Sequence, residues 1–461
     1  MLRDILGGFA LACIALGIVQ LAFLLGVGSS EVRRARRRNA KHRPSRAAHV
    51  VVHKRHARGR ETAPDGEPPD TRIQAIYALV PCLNEELVIA DTVRELLKQD
   101  PLVRVVVIDD ASEDDTSARA KEAGEDRLAV VRRRLPNARQ GKGPALNAGF
   151  ARICREVAEA GYEHERVLIL VMDADGRMSD GAVERVKPLF ACPDIGGAQL
   201  GVRIRNRDRN MLTLIQDCEF WGIAALGQMG RVRTGTVSLG GNGQFTRLAA
   251  LLTLGERPWS DSLTEDLDLA VRLSVVGWRL TSTPTAWVSQ QGIERVKPLI
   301  RQRARWFQGH MTTANRRIRE VWSSETLSNM SVLELTAYLF IPYLIVLPWS
   351  ILAQVGIVYV VIDQTAPAPP GDERWPMALR IVTLLAWYLI SFAPTVACGV
   401  IYARRERQIS MWRAIGFSHV LVLWNYVLFT ACWRAVFRML SGRTSWAKTA
   451  RLAEVPATVT A

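Results

Sequence analysis

The sequence predicts an α/β chain, in which a domain built on a mostly parallel central sheet is joined to α-helical transmembrane segments. Three observations lead there. Between residues 73 and 204, short apolar runs alternate with amphipathic stretches, the pattern of parallel strands joined by helices. The positions just after three of those runs are acidic. Uncharged runs near both ends are long enough as helices to reach about 30 Å, the thickness of a bilayer's hydrocarbon layer. With 461 residues and 48% hydrophobic content, the chain has room for both parts.

Residues 5–27 hold no charged side chain and predict a transmembrane helix within a first segment, residues 1–28. A cleaved secretory signal fits less well, because the run is long, Asp4 offsets Arg3, and a basic cluster follows. The formal net charge is +15, and residues 32–60 carry twelve Lys and Arg with no acid. Such a cluster directly after a span follows the positive-inside pattern and attracts anionic lipid. No nucleic-acid module accompanies it, so nucleic acid is not an expected partner. His42, His49, His53 and His56 lie in the same stretch without a Cys or carboxylate to complete a metal site. Residues 29–72 therefore read as a cytosolic linker, basic first and then rich in Pro and Gly. The seven cysteines show no Cys-x-x-Cys spacing and fit reduced thiols.

The catalytic region is expected over residues 73–295, with strands at 76–80, 103–108, 128–131 and 167–172 and helices at 87–98, 116–123 and 143–159. Ligands of open sheets collect at the carboxyl ends of the strands. There the chain places Pro81-Cys82-Leu83-Asn84-Glu85-Glu86, Asp109-Asp110-Ala111-Ser112 and Asp173-Ala174-Asp175-Gly176. One acid at a strand end is ordinary helix capping, whereas carboxylates at three ends of one sheet point to a site. Asp-x-Asp offers hard oxygen ligands that can hold Mg²⁺ or Mn²⁺ together with a diphosphate. Gly141-Lys142-Gly143 lacks P-loop spacing and reads as a glycine turn opening a helix whose amides and lysine can face a phosphate. Asp266 stands at the start of a helix expected over 267–275.

Residues 295–319 are basic and amphipathic, as suits interfacial helices, which are expected over 296–331 and contain Gln302-Arg303-Ala304-Arg305-Trp306. Transmembrane helices are expected over 332–433. The run 332–362 is interrupted by Pro342 and Pro348 and predicts a lead-in and one kinked span, 363–376 an outer loop, and 378–402 a return to the inside. A full span over 411–433 would leave the basic tail, 434–461, outside, so that segment is either re-entrant or interfacial, or an exception to the charge rule.

Taken in order, Pro81 to Glu86, Ile108-Asp109-Asp110, Gly141-Lys142 with Ala145-Leu146-Asn147, Asp173-Ala174-Asp175, Thr264-Glu265-Asp266 and Gln302-x-x-Arg305-Trp306 resemble the motifs of processive family 2 glycosyltransferases. These are the membrane-embedded synthases of cellulose, chitin, hyaluronan and poly-N-acetylglucosamine. The resemblance covers roughly residues 75–310 and implies a GT-A-like nucleotide-sugar-binding fold. It implies that Asn84, Glu85 and Asp110 bind the nucleoside of a UDP-sugar, supported by Asp109, and that Lys142 approaches the diphosphate. Asp175 would ligate Mg²⁺ or Mn²⁺, with Asp173 on ribose or metal. Asp266, flanked by Thr264 and Glu265, would be the general base, and Gln302, Arg303, Arg305 and Trp306 would close over diphosphate and acceptor sugar.

Residue chemistry accords with those roles. Leaving-group charge needs a cation and arginines, and an acceptor hydroxyl needs a carboxylate within reach of its proton. One carboxylate base without a nucleophile predicts inversion, hence a β-linkage from an α-donor. Asn242 and Gln244, in a glycine-rich turn that departs from the Cys- or Thr-bearing versions of several synthases, are candidates for bonding sugar hydroxyls. Trp221, Trp259, Trp278 and Trp287 read as scaffold. The expected partners are a UDP-sugar, a growing glycan and membrane lipid, and the expected location is the plasma membrane, multi-pass, with the catalytic domain cytosolic. The alternatives are a non-processive transferase acting on a lipid phosphate or glycolipid, and a catalytically idle sugar-binding or export component.

Overall fold

The computed structural model describes residues 26–34, 72–124, 126–365, 377–406 and 409–443. Nearly all of the expected N-terminal span, most of the linker, most of the outer loop and the end of the basic tail lie outside the described residues.

Eight strands form one sheet in the order β3-β2-β1-β4-β7-β6-β8-β5. They are β1 (Ala75–Cys82), β2 (Val103–Asp109), β3 (Leu128–Arg132), β4 (Val167–Val171), β5 (Arg177–Met178), β6 (Ile195–Ile204), β7 (Gln244–Arg247) and β8 (Arg279–Gln290). The first four fall where the apolar runs place them. Their near-continuous hydrophobicity fits strands covered on both faces: Ile76, Ala78 and Val80 pack into one core, Tyr77 and Leu79 into the other. β1, β2, β3 and β4 pair in parallel, as do β6 and β8, while β7 runs antiparallel to β4 and β6 and β5 antiparallel to β8. The sheet is therefore mixed, and its second half has no counterpart in the expected strand list.

Among the longer helices, α1 (Ile89–Gln99), α2 (Thr116–Ala123) and α3 (Lys142–Ala160) fill the intervals after β1, β2 and β3. α3 ends at Gly161, whose φ of 65° is the left-handed cap that glycine adopts without strain. Because the chain goes from β1 outward to β2 and β3 and returns to β4 on the other side of β1, the strand order reverses between β1 and β4, opening a crevice at their carboxyl ends.

α4 (Glu265–Val275) begins at the motif acids, and α5 (Val296–Trp322) is the expected basic amphipathic helix. A π-turn, Cys218–Ala224, joins helices Met211–Asp217 and Ala225–Arg231. α6 (Asn329–Leu339) and α7 (Leu347–Thr365) flank a second π-turn opened by Pro342, and the axis bends by 54° across this break, the expected kink. α8 (Met377–Glu406) and α9 (Met411–Leu440) follow. α9 is one unbroken helix of 30 residues, which removes the re-entrant alternative for this segment. Among the described residues it is the one single helix long and apolar enough to cross a membrane, and the bent pair around Pro342 passes the same test jointly.

Candidate active site

A cavity of about 460 Å³ lies along the carboxyl edge of the sheet. One end is made by the turns after β1 and β2. Cys82 is paired with Asp109 in the ladder, so the two turns abut. Asn84 stitches them together: its amide donates to Ser112 Oγ at 3.0 Å and its Oδ1 accepts from Glu113 N at 2.9 Å. Its φ of 53° is one that Asn tolerates better than most residues. Asp109 is buried behind this turn, accepting from Ser112 N at 2.7 Å and from Ser117 Oγ. Burial pushes its carboxyl up, but the hydrogen bonds from Ser117 and Ser112 prevail and hold it below the usual carboxylate range. Glu85 and Asp110 reach the cavity wall. Asp110 accepts from Arg133 and from Arg139 N at 3.0 Å, yet burial leaves its carboxyl raised.

The middle of the cavity collects charge. Lys142, the first residue of α3, donates through Nζ to Asp173 Oδ1 at 2.6 Å and to Gly241 O at 2.6 Å, and lies 4.0 Å from Glu265 Oε1. α3 reaches this point because Gly143 lies against the Ser260 backbone, where a Cβ would come within 2.0 Å of the carbonyl oxygen. Gly241 is similarly constrained: a Cβ there would meet Lys142 Nζ at 2.7 Å and Asp266 Oδ2 at 3.5 Å. Thr264, Glu265 and Asp266 enter from the first turn of α4. Burial and then the neighbouring Asp266 push Glu265 up to about 7. Burial also raises Asp266, against the pull of Lys142. Lys142 stays charged because its acidic neighbours outweigh its own burial.

Away from the β1–β2 end, Gln302, Arg305 and Trp306 of α5 line the wall, as do Leu200 and Val202 of β6. β6 is three strands from β1, roughly 14 Å across the sheet at the usual spacing. Trp306 meets Phe220 edge-on, with centroids 6.0 Å apart.

Several expected site residues stand elsewhere. Of the Asp-x-Asp pair only Asp173 lines the cavity; the turn at 174–175 carries Asp175 inward, where its Oδ2 accepts from Gln291 N at 3.2 Å. Arg303 is 5% exposed and pairs with Glu219. Gln244 is buried in β7, away from the cavity wall. Asn242 does line it, with its Oδ1 accepting from Asp173 N at 3.3 Å and its Nδ2 donating to Gln290 Oε1 at 3.1 Å. The four tryptophans read as scaffold behave so in part: Trp221 and Trp259 are buried, while Trp278 and Trp287 are half-buried.

Residues missed from the sequence complete the walls. Gln199 clamps the glycine turn, its Oε1 accepting from Gly240 N at 2.7 Å and its Nε2 donating to Asn242 O at 2.8 Å. His310 lies one helical turn beyond Trp306, and its Nε2 is 3.0 Å from Tyr338 O. The i, i+4 spacing from Trp306 was the available signal for it; Gln199 had none.

Among the described residues no group of three or more His, Cys, Asp or Glu side chains is arranged to hold a metal by itself. Asp173 at the cavity still suits a hard divalent ion that takes its other oxygens from a diphosphate.

The family described as glycosyltransferase-like family 2 matches residues 73–309, which contain every element of this cavity up to the middle of α5. Over 241 residues the chain is 33% identical to the β-monoglucosyldiacylglycerol synthase of Synechocystis, covering 51% of this chain and 47% of that protein. It is 26% identical over 272 residues to the poly-β-1,6-N-acetyl-D-glucosamine synthase of Staphylococcus epidermidis, covering 57% and 60%. The chain spans about half the length of the first of these curated relatives. Among solved structures, a mannosyltransferase from Pyrobaculum calidifontis in complex with GDP-Man and Mn²⁺ superposes with a TM-score of 0.52 at 17% identity, covering 94% of this chain and 99% of that one, a likeness of fold. A family match over half the chain, on the very segment that builds the cavity, settles the class: the chain belongs to glycosyltransferase-like family 2 and is a glycosyltransferase.

Proposed function

We propose that the chain transfers a hexose or N-acetylhexosamine, with inversion, from a UDP-sugar to a hydroxyl of an acceptor that carries an apolar portion, at the cytosolic face of the plasma membrane. The observation that carries this reading is the change of character along the cavity. Its β1–β2 end is polar and charged, whereas beyond it, beside Gln302, Arg305 and His310, the wall gains an apolar share from Leu200, Val202, Phe220, Ala224 and Ala225. A free hydrophilic sugar gains little from such a wall; a lipid-bearing acceptor gains roughly 25 cal/mol for each Å² of apolar surface it buries there.

The steps follow from the residues. Glu85 and Asp110 face the nucleoside, and Lys142 faces the diphosphate, where a fixed cation stabilises the charge that grows as the sugar leaves. Mg²⁺ or Mn²⁺ held at Asp173 would supply further charge neutralisation when bound. Asp266 accepts the acceptor's proton as its oxygen attacks the anomeric carbon from the opposite face, giving a β-linkage from an α-donor. Membrane attachment is supported by α9 and by the basic run at 32–60.

A second reading, favoured by Trp306 in the wall and by the similarity to a poly-N-acetylglucosamine synthase, is repeated addition to a growing β-linked polysaccharide coupled to its export. Membranes containing the protein, incubated with a panel of radiolabelled UDP-sugars, separate the two. Label in a small organic-soluble product supports the lipid-bearing acceptor. Label in a high polymer or ladder overturns it for the second reading, and no incorporation from any donor rejects both.

A further inference from the structure

Arg303, expected at the diphosphate, is instead buried beside the cavity. Its guanidinium is bound bidentately by Glu219, Nη1 to Oε1 at 3.1 Å and Nη2 to Oε2 at 2.7 Å. Three aromatic rings from three different elements surround the same group: Trp306 of α5 at 4.3 Å, Phe220 of the π-turn at 5.2 Å and Trp424 of α9 at 5.7 Å. Buried and absent from the cavity wall, this cation is not presented to a ligand there. A flat guanidinium between rings also fixes their mutual placement, because each ring face attracts the cation at short range.

Trp306 and Phe220 both line the cavity, and Trp306 is the one of the two carried on α5, in the same helical turn as Arg305. Trp424 is buried midway along α9, the helix long enough to cross a membrane. Two residues after Trp306, Gln308 fastens the same stretch of α5 to the end of α9. Its Nε2 donates to Arg443 O at 2.7 Å and its Oε1 accepts from Arg438 Nε at 2.7 Å.

We infer that Arg303 is a positioning residue, pinned by Glu219, which sets the Trp306 ring against Trp424 of α9 and takes no part in holding the leaving diphosphate. The inference rests on the proposed role of Trp306 at the acceptor end of the cavity. It makes α9 part of the active-site scaffold: the membrane-length helix presents the ring that fixes the guanidinium, and the guanidinium fixes the ring that meets the acceptor.

The test uses the full chain in lipid nanodiscs. Arg303→Lys keeps the charge beside Glu219 but loses the flat fork, which is not a conservative change at a stacked site. UDP with Mn²⁺, titrated calorimetrically, should bind this variant within about twofold of wild type, while turnover with the donor selected by the panel falls about tenfold or more. On a Trp306→Ala background the same substitution should cost little further turnover, because the ring it serves is gone. Trp424→Ala should reproduce the loss and Trp424→Phe should restore most of it. A drop in UDP affinity matching the loss of turnover would place Arg303 on the diphosphate and overturn the inference, as would full additivity of Arg303→Lys with Trp306→Ala. Thermal melting gives an arm independent of any substrate: the losses from Arg303→Lys and Trp424→Ala should fall well short of additive, and simple additivity rejects the link. Absence of any turnover in wild type would instead reject the proposed function, leaving the melting cycle to judge the contact.

Discussion

Asp266 sits in the first turn of α4, with its Oδ1 already accepting from Leu267 N at 2.8 Å, so the orientation of its carboxylate is set before any acceptor arrives. Asp266→Asn keeps the size and removes the proton acceptor. Turnover should fall on the order of 10²–10⁴-fold, the usual worth of a general base, with UDP affinity nearly unchanged by calorimetry. Equal losses in both would assign Asp266 to donor binding. His310 makes a pH prediction. Burial first, and then the Arg231 charge, lower its pKa to about 4, while the Tyr338 carbonyl pulls the other way. A folded-state value below the ordinary 6.5 means that the neutral ring is favoured by folding. Its contribution is full above about 6.5 and is lost as pH falls toward 4. At about 1.4 kcal/mol per unit this is at most a few kcal/mol. His310→Gln should therefore melt with a flatter acid limb than wild type between pH 6.5 and 4, with the two curves running parallel above that window.

The contact between α4 and α5 decides how close the acceptor-side residues come to the base. Gly309 touches Thr264 so closely that a Cβ would lie 2.6 Å from both the Cγ2 and the Oγ1 of that residue. Gly309→Ala should push α5 outward at Trp306 and His310 and cut turnover about tenfold or more, since small misplacements near the chemistry are costly. Circular dichroism and UDP binding should stay close to wild type; unchanged turnover would show that the two helices can part without consequence. This element also marks the limit of sequence reading. The strands around Leu79 and Val107 announce themselves because they are buried on both faces and so carry unbroken apolar runs. The acids after β1, β2 and β4 were legible because sheet topology fixes where strand ends lie. Arg303 was not: adjacency in the chain grouped it with Gln302 and Arg305, but it lies one helical turn before Trp306, and its counter-charge, Glu219, stands 84 positions earlier with no local signal. The orientation of Asp175 was not legible for a related reason, because a two-residue spacing does not say which way a turn carries the second carboxylate.

Across the whole molecule, the acceptor wall and the C-terminal helices are joined by one buried ionic cluster. Glu406, the last residue of α8, pairs with Arg203 of β6 and with Arg207 at 2.5 Å. Asp217, fully buried, accepts from Ile204 N at 2.7 Å and from Tyr402 Oη at 2.5 Å. β6 also supplies Leu200 and Val202 to the cavity, so this cluster holds the strand that forms the proposed acceptor wall against the end of α8. Removing one partner from a buried ion pair leaves the other charge desolvated and uncompensated, typically about 3–5 kcal/mol. Glu406→Gln should lower the melting temperature by an amount consistent with that cost, whereas Glu406→Asp, which keeps the charge on a shorter arm, should lose less. If the cluster serves the acceptor end and not the fold alone, the surviving Glu406→Gln protein should show a raised acceptor KM with UDP affinity preserved, because the β1–β2 end lies three strands away. A parallel loss at both ends would mean that α8 steadies the sheet as a whole, and the wall at β6 would have no private connection to the C-terminal helices.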